Sequence, residues 1–507
     1  MKTRQAAALA AALTLAAPAM PPTESVAAPR PPAARPVALV HARVETVSDG
    51  VIEDATVVIR DGKIAEVGKG LAAPAGARVV DVKGGTVMPG IVSPVSRLGL
   101  LSGAARDEGE RPEIRGRGGR GGRGGGPPSG GGGGDPSLRA IDEVPALEDV
   151  YALTLGRAGV TTLGLAPFGN GIAGQGSAIR PRGEKRADMS VSDSAFLWVA
   201  VETETQALES LKRSFEDAKK EIEARKKAKE KEEEERKKKE AEAAAAAKPA
   251  EPAGDKTEKK DEPPKPPGPT PPVPGKEEPP KGGDPPPPAP GGGRRGAEEK
   301  GAEAAKPAGR APEAPRTDPR KEPLIAVIEG KLPLFLKCDR SADLLHFLEI
   351  MREIGLESLK PVVVGGADLD RAAQILDARD LHVILSPDVT NEPNTRNRLL
   401  VARVLHEAGV PISFYAGADT LEAHRSLLAR AADAVRFGLP RDVALRALTL
   451  GPAERLGVAS RVGSVAPGKD ANLIVTDGDP LDARSRVLAV YLEGVAYDPD
   501  FGEPLPD

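Results

Sequence analysis

A catalytic centre needs side chains of particular types brought together, and this chain holds few of the usual ones. Its five histidines are His41, His346, His382, His406 and His424, and its one cysteine is Cys338. A metal site takes about three or four protein ligands. His346, His406 and His424 fall in helical patterns, His41 lies in a β region, and His382 begins a strand pattern rather than ending one. Barrel active sites are built at the C-terminal ends of strands, so each histidine reads as structural or surface. One cysteine allows no intramolecular disulfide. Asp470, Asp477 and Asp479 stand in turn-forming contexts and read as turn acids, not catalytic carboxylates. The Arg-Gly-Gly run at 115–126 is the kind of basic arm that can meet RNA. It lacks interleaved Phe or Tyr, however, and the chain is 3% aromatic with a net charge of −4. That balance points to neither nucleic acid nor a membrane surface, and the run reads as a flexible linker.

The elements that must position any site fall into two kinds. Between about 88 and 458 strand and helix patterns alternate, which argues for a parallel β/α architecture. Gly159–Leu165, Leu332–Lys337, Val362–Val364, His382–Leu385 and Pro411–Tyr415 read as buried strands. Helical patterns lie at 342–354, 370–379, 421–437 and 440–449. Outside this region, residues 37–87 read as short strands, with Asp61-Gly62 as a type I′ turn signal. The C-terminal stretch 459–495 has the same β character. Two β segments flanking an α/β region predict one composite small domain built from both chain ends.

Three stretches do not belong to that frame. Lys2 and Arg4, the apolar run Ala6–Ala17 and the small residues through Ala28 read as a secretory signal at 1–28. The protein is therefore expected to be exported, to the periplasm or the extracellular space. No second long apolar run follows, so no membrane span is expected. A Gly-rich insertion covers 103–136. A second insertion, 205–320, opens as a charged helix to about Ala247, expected to stand solvated. It continues as a Pro-, Gly-, Lys- and Glu-rich tract that cannot bury enough apolar surface to fold. The chain has 507 residues, with 57 Gly and 51 Pro concentrated in such tracts. Setting these aside leaves roughly 330 residues, enough for one large domain, with parts at 88–204 and 321–458, and one small one.

Four ordered motifs carry a resemblance. They are Val87-Met-Pro-Gly-Ile-Val-Ser-Pro-Val-Ser-Arg-Leu-Gly99, Ala158–Leu163 followed by Gly169–Gly176, Ala444–Val458, and Arg461–Leu481. Together they resemble the amidohydrolase superfamily, of the imidazolonepropionase-like type. The resemblance implies a distorted (β/α)8 TIM barrel with a β-sandwich appendage, within the α/β class. It implies an ancestral metal-dependent hydrolysis of C–N bonds, with zinc or another divalent ion held by histidines at strand ends and a strand 8 Asp as general base. Gly169–Gly176 takes the place of the loop after the second barrel strand.

The ligand positions implied by that resemblance carry other residues. Ser93 stands at the Asp of the first-strand motif, Val95 at its first His and Arg97 at its second. Lys337 stands where the strand 5 His is expected, and Gly365 follows the run that should end in the strand 6 His. Asp419 is the candidate for the strand 8 Asp, two residues late, with Gly417 as the other claimant. The expectation is an exported amidohydrolase-like protein with no metal or cofactor, a pseudoenzyme binding a ligand or a partner. Arg97 and Lys337 are the candidate ligand-binding residues for a small anion, and Asp419 the candidate catalytic residue. An active paralogue or a second copy is the alternative partner. Two rival readings are a working hydrolase with an unorthodox centre using Asp419, Asp339 or Lys337, and an interaction protein acting through its charged helix and Pro-rich segment.

Overall fold

The computed structural model describes residues 35–101, 135–145, 149–183, 185–201, 205–246, 318–366, 368–392, 394–482, 484–500 and 502–505. The expected leader, nearly all of the Gly-rich insertion and residues 248–317 lie outside the described residues. The chain forms two compact units, Met1–Glu223 with Asp318–Asp507, and Ala224–Thr317.

The chain enters through five strands: Val37–Glu45 (β1), Val51–Arg60 (β2), Lys63–Lys69 (β3), Arg78–Asp81 (β4) and Thr86–Pro89 (β5). β1 and β2 pair antiparallel, as do β2 and β3. Asp61 and Gly62 join the latter pair with φ of 50° and 75°. Two successive positive φ values are what a type I′ turn demands, and its twist matches that of the flanking strands. One edge of β1 carries β4 and then β5, both parallel to it.

The large sheet comes next in the chain. Its strands are Ile91–Ser96 (β6), Val160–Leu165 (β7), Gly171–Ile179 (β8), Ser190–Ala200 (β9), Leu334–Lys337 (β10), Val362–Val364 (β11) and Val383–Leu385 (β12). A short hairpin, Thr390–Asn391 (β13) with Arg398–Leu399 (β14), precedes the last strand, Ile412–Phe414 (β15). The eight barrel strands run in the order β6-β7-β8-β9-β10-β11-β12-β15. β8 lies antiparallel to both β7 and β9, while every other pair is parallel. The two edges, β6 and β15, come together with the helix Leu450–Arg455 packed on both. The result is a nearly closed, distorted α/β barrel.

The antiparallel strand overturns one expectation. The glycines of Gly169–Gly176 predict a loop, yet Gly171–Ile179 is a strand. The cause is close packing across the sheet. Gly176 pairs with Phe196 on β9, and a Cβ on Gly176 would sit 2.0 Å from the tip of the Phe196 ring. Glycine is there to let an aromatic ring lie over the strand. β9 itself has no counterpart among the strands read from pattern.

Two apolar layers hold the barrel. Inside it, Val92, Phe196, Trp198, Phe335, Val364 and Ile384 form one cluster. Phe196 and Phe335 stack with centroids 4.0 Å apart. Outside it, alternate strand residues such as Leu197, Leu336 and Val363 face the covering helices.

The charged helix spans Thr205–Ala246, and its opening turns are not solvated as expected. Leu211, Phe215, Ala218 and Ile222 recur at helical spacing and are buried in the outer layer. Phe215 meets Phe347 edge-to-face at 6.3 Å, and Lys212 pairs with Glu353 at 2.7 Å. Four apolar residues among many charges form a stripe one residue wide, which total composition hides. Through Glu223 this helix belongs with the barrel. From Ala224 it belongs to the second unit, where charges pair along its surface, as Lys237 does with Glu233 at 2.8 Å.

The chain ends in Leu473–Thr476 (β16), Val487–Leu492 (β17) and Val495–Tyr497 (β18). β16 pairs antiparallel with β5, Leu473 opposite Pro89. The small sheet thus joins both chain ends in the order β18-β17-β16-β5-β1-β2-β3. Leu39, Val57, Ile59, Val87, Leu473 and Val475 form its core. Among the described residues no helix is long and apolar enough to cross a membrane.

Candidate functional site

The barrel mouth is formed by residues at and just beyond the C-terminal ends of its strands. Arg97 comes directly after β6, Lys337 ends β10, Gly365 comes directly after β11, and Asp419 lies in the loop after β15. All of the residues singled out from sequence therefore lie at one end of one barrel. Val95 joins the interior cluster, and Arg97 reaches the interior ring of Trp198.

Arg97 is held in two ways. Its guanidinium lies over the Phe168 ring at 5.3 Å and over the Trp198 ring at 5.4 Å. Both distances fall within the range where a ring quadrupole attracts a cation. Its backbone N–H donates to Asp419 Oδ1 at 2.7 Å. That is a charge-assisted bond tying the first barrel strand to the loop after the last. Asp419 thus has a structural duty at the seam between β6 and β15. Gly417 takes a φ of 80° with Ser386 Oγ 3.0 Å from where a Cβ would be, so this tight loop displaces Asp419 from the end of its strand.

Lys337 stands on the same face of β10 as Phe335 and pairs with Asp339 at 3.4 Å. Both side chains are well exposed. The two cations of the mouth therefore have different surroundings, Lys337 a carboxylate in water and Arg97 two aromatic rings.

The rim also holds groups that sequence patterns did not single out. Arg430, from the helix Leu427–Arg436, donates to Ser386 Oγ and Asp388 Oδ1, each at 2.9 Å, and to the carbonyls of Ala416 and Ala423. It stitches the loop after β12 to the loop after β15. Ser386 in turn donates to Asp388 at 2.6 Å. Burial first, then the nearby carboxylates of Asp419, Asp388 and Asp339, push the Tyr415 phenol up. So the mouth is a balanced field of three basic and three acidic side chains, not a uniformly cationic funnel. Trp198 was legible as the chain's one tryptophan. Its place at the end of an unrecognised strand hid it.

The histidines lie apart from this rim or are committed elsewhere. His41 is exposed beside Asp81 at 3.1 Å. His346 is exposed on the helix Ser341–Glu353. His406 is half-buried in the last turn of the helix Val401–Glu407. His382, at the start of β12, is bonded through Nε2 to Ser413 Oγ at 2.8 Å. His424 is fully buried, with Nδ1 donating to the Thr420 carbonyl at 2.9 Å. Burial pushes its pKa down, and Asp419 acts against that shift. Cys338 is buried, which pushes its thiol far up and leaves no thiolate for metal or nucleophilic work.

A divalent ion needs convergent donors with free lone pairs. At the mouth, Val95 and Gly365 offer none and Arg97 and Lys337 offer positive charge. Asp339, Asp388 and Asp419 are each engaged with another group. Among the described residues no set of three or more His, Cys, Asp or Glu side chains is placed to hold a metal. The donor set does not fit the metal that the resemblance implies.

Comparison with known proteins places this geometry. Residues 333–501 match the amidohydrolase family. The amidohydrolase tasK of Hapsidospora irregularis is 32% identical over 98 residues, 19% of this chain and 10% of that protein. The dihydroorotase of Geobacter sulfurreducens is 50% identical over 50 residues, 10% of this chain and 12% of that protein. Each match spans about a tenth of the relative's length. The crystal structure of an amidohydrolase from Thermotoga maritima superposes with a TM-score of 0.60 at 22% identity, over 91% of this chain and 99% of that one. It shares the fold. The C-terminal segment 333–501 is thus similar to the amidohydrolase family, and the barrel with its composite sheet has the fold of the Thermotoga maritima amidohydrolase.

Proposed function

We propose that this protein is an amidohydrolase-superfamily member whose barrel mouth binds a small anion, a carboxylate or a phosphate, in place of hydrolysing a C–N bond through a metal. The observation that carries this reading is Arg97. It stands where the imidazolonepropionase-like pattern has its second ligand histidine, and its guanidinium is clamped between Phe168 and Trp198. A guanidinium fixed over two rings offers its planar donor edge to a carboxylate or phosphate with little rotamer freedom left to lose. Lys337, on the mouth side of β10, supplies a second, more hydrated positive charge. Asp419 acts as a positioning residue for Arg97, through the backbone N–H. Residues 1–28 read as a leader, so we propose that this binding occurs outside the cytoplasm, which N-terminal sequencing of the natural protein would test.

Metal content and anion binding, measured on one preparation, decide the matter. Purified protein is expected to carry well under one equivalent of zinc, manganese or iron. Phosphate or a small carboxylate should raise the melting temperature saturably, by linkage. Arg97→Met should abolish that rise. A near-equimolar, tightly held metal that is lost in Asp419→Asn would overturn the proposal and favour a working hydrolase with an unorthodox centre.

A further inference from the structure

A pocket, partly open to solvent, lies at the opposite end of the barrel. The N-terminal ends of β11, β12 and β15 and the helices Arg441–Leu448 and Leu450–Arg455 surround a cavity of about 520 Å³. That size suits a small organic molecule. One wall is apolar, formed by Val362, Val410, Ile412 and Val443. The other is charged, and most of its charges are already matched. Arg446 binds both carboxylate oxygens of Glu454, at 2.7 and 2.8 Å, and Lys360 pairs with Asp380 at 2.8 Å.

Arg455 differs from both. Its Nε is buried without a hydrogen-bond partner, and among the described residues its guanidinium enters no ion pair. Arg455 is half-buried on the pocket wall, and a guanidinium held there without a direct ion pair favours an anionic occupant. The neighbouring His382 is buried, and burial together with Arg455 and Arg446 holds its pKa down to about 3. Burial is the larger cause, and the two guanidiniums beside the ring mark the positive end of the cavity. Asp380, Asp442 and Glu454 also line the space, and three carboxylates disfavour a doubly charged ligand.

We propose that this cavity binds a small organic monocarboxylate, its headgroup on Arg455 and its apolar body against Val362, Val410, Ile412 and Val443. The site is separate from the mouth and independent of what the mouth binds.

Calorimetric titration of the full-length protein with hexanoate, in saturating inorganic phosphate so that the mouth is already occupied, tests it. Wild type should bind hexanoate saturably, acetate at least tenfold more weakly, and hexylamine not at all. Arg455→Met should weaken hexanoate binding at least tenfold, while Arg97→Met leaves it unchanged. Val443→Trp, which fills the apolar wall, should also abolish binding, and it decides the question if Arg455→Met fails to fold. Three results would overturn the proposal. They are no saturable hexanoate binding by wild type, equal binding in the folded variants, or loss in Arg97→Met in place of Arg455→Met.

Discussion

The two ends of the barrel each present an arginine from the same scaffold, but to different surroundings. At the mouth, Arg97 lies between two aromatic rings, with Asp419 holding its backbone. At the opposite end, Arg455 faces a cavity whose other cations are paired. The mouth has been built around its cation, whereas the far end leaves room beside one. Position in the barrel decides what a charged residue can do as much as its type does. A cation stacked on rings is already oriented and adds stability without a ligand. A cation beside a void adds stability chiefly when something fills it.

The sharpest way to break this comparison is to remove the clamp. Trp198 is 2% exposed and packs in the interior cluster as well as under Arg97. Trp198→Ala should cost about 3–5 kcal/mol, the range for deleting a buried aromatic side chain. Trp198→Phe should recover much of that loss, because it keeps a ring beneath the guanidinium. Urea unfolding curves would show both. A loss below about 1 kcal/mol in Trp198→Ala would mean that the mouth is not built around this ring.

An intermediate effect is expected from pH at the far end. His382 is held neutral, with its pKa near 3 in the fold, against about 6.5 in an unfolded chain. The unfolded chain therefore takes up a proton that the fold refuses. The stability linked to this ring is fully present above pH about 6.5 and is lost as pH falls toward 3, by about 1.4 kcal/mol per pH unit. His382→Gln should flatten the acid side of the stability profile by that slope relative to wild type. Parallel profiles between pH 6 and 4 would show that the ring is not withdrawn from solvent.

These residues also show what the sequence could and could not disclose. The composite sheet was legible because the Asp61-Gly62 turn and the alternation around it are local signals. β10, β11, β12 and β15 were legible as short apolar runs. β8 and β9 were not, because the glycines of β8 answer to the Phe196 ring across the sheet, a contact between strands. The docking of Leu211, Phe215, Ala218 and Ile222 was masked by the charge around them. At the site, the substituted positions Val95, Arg97, Lys337 and Gly365 were named from the resemblance, and all lie at the mouth. The rings that meet Arg97, Phe168 and Trp198, come from another loop and another strand, and nothing near Arg97 in sequence announces them. Asp339, the partner of Lys337, lies only two residues from it.

The smallest effect belongs to Lys337, and it sharpens the contrast between the two cations of the mouth. From sequence, Lys337 and Arg97 read as two charges sharing one site, so that removing one would relieve repulsion and raise stability. The pairing of Lys337 with Asp339 at 3.4 Å, with side chains 41% and 76% exposed, changes that expectation. An exposed pair of this kind contributes about 0–1 kcal/mol, and the attraction lost on mutation offsets any repulsion relieved. Lys337→Met should therefore shift unfolding free energy by less than about 0.5 kcal/mol in either direction, the usual range for a surface change. Its effect should shrink further in about 1 M salt, where the Debye length is roughly 3 Å. A stabilisation above about 1 kcal/mol, abolished by salt, would restore the picture of two mutually repelling cations. It would also make Lys337, alongside Arg97, a direct contact for any anion bound at the mouth.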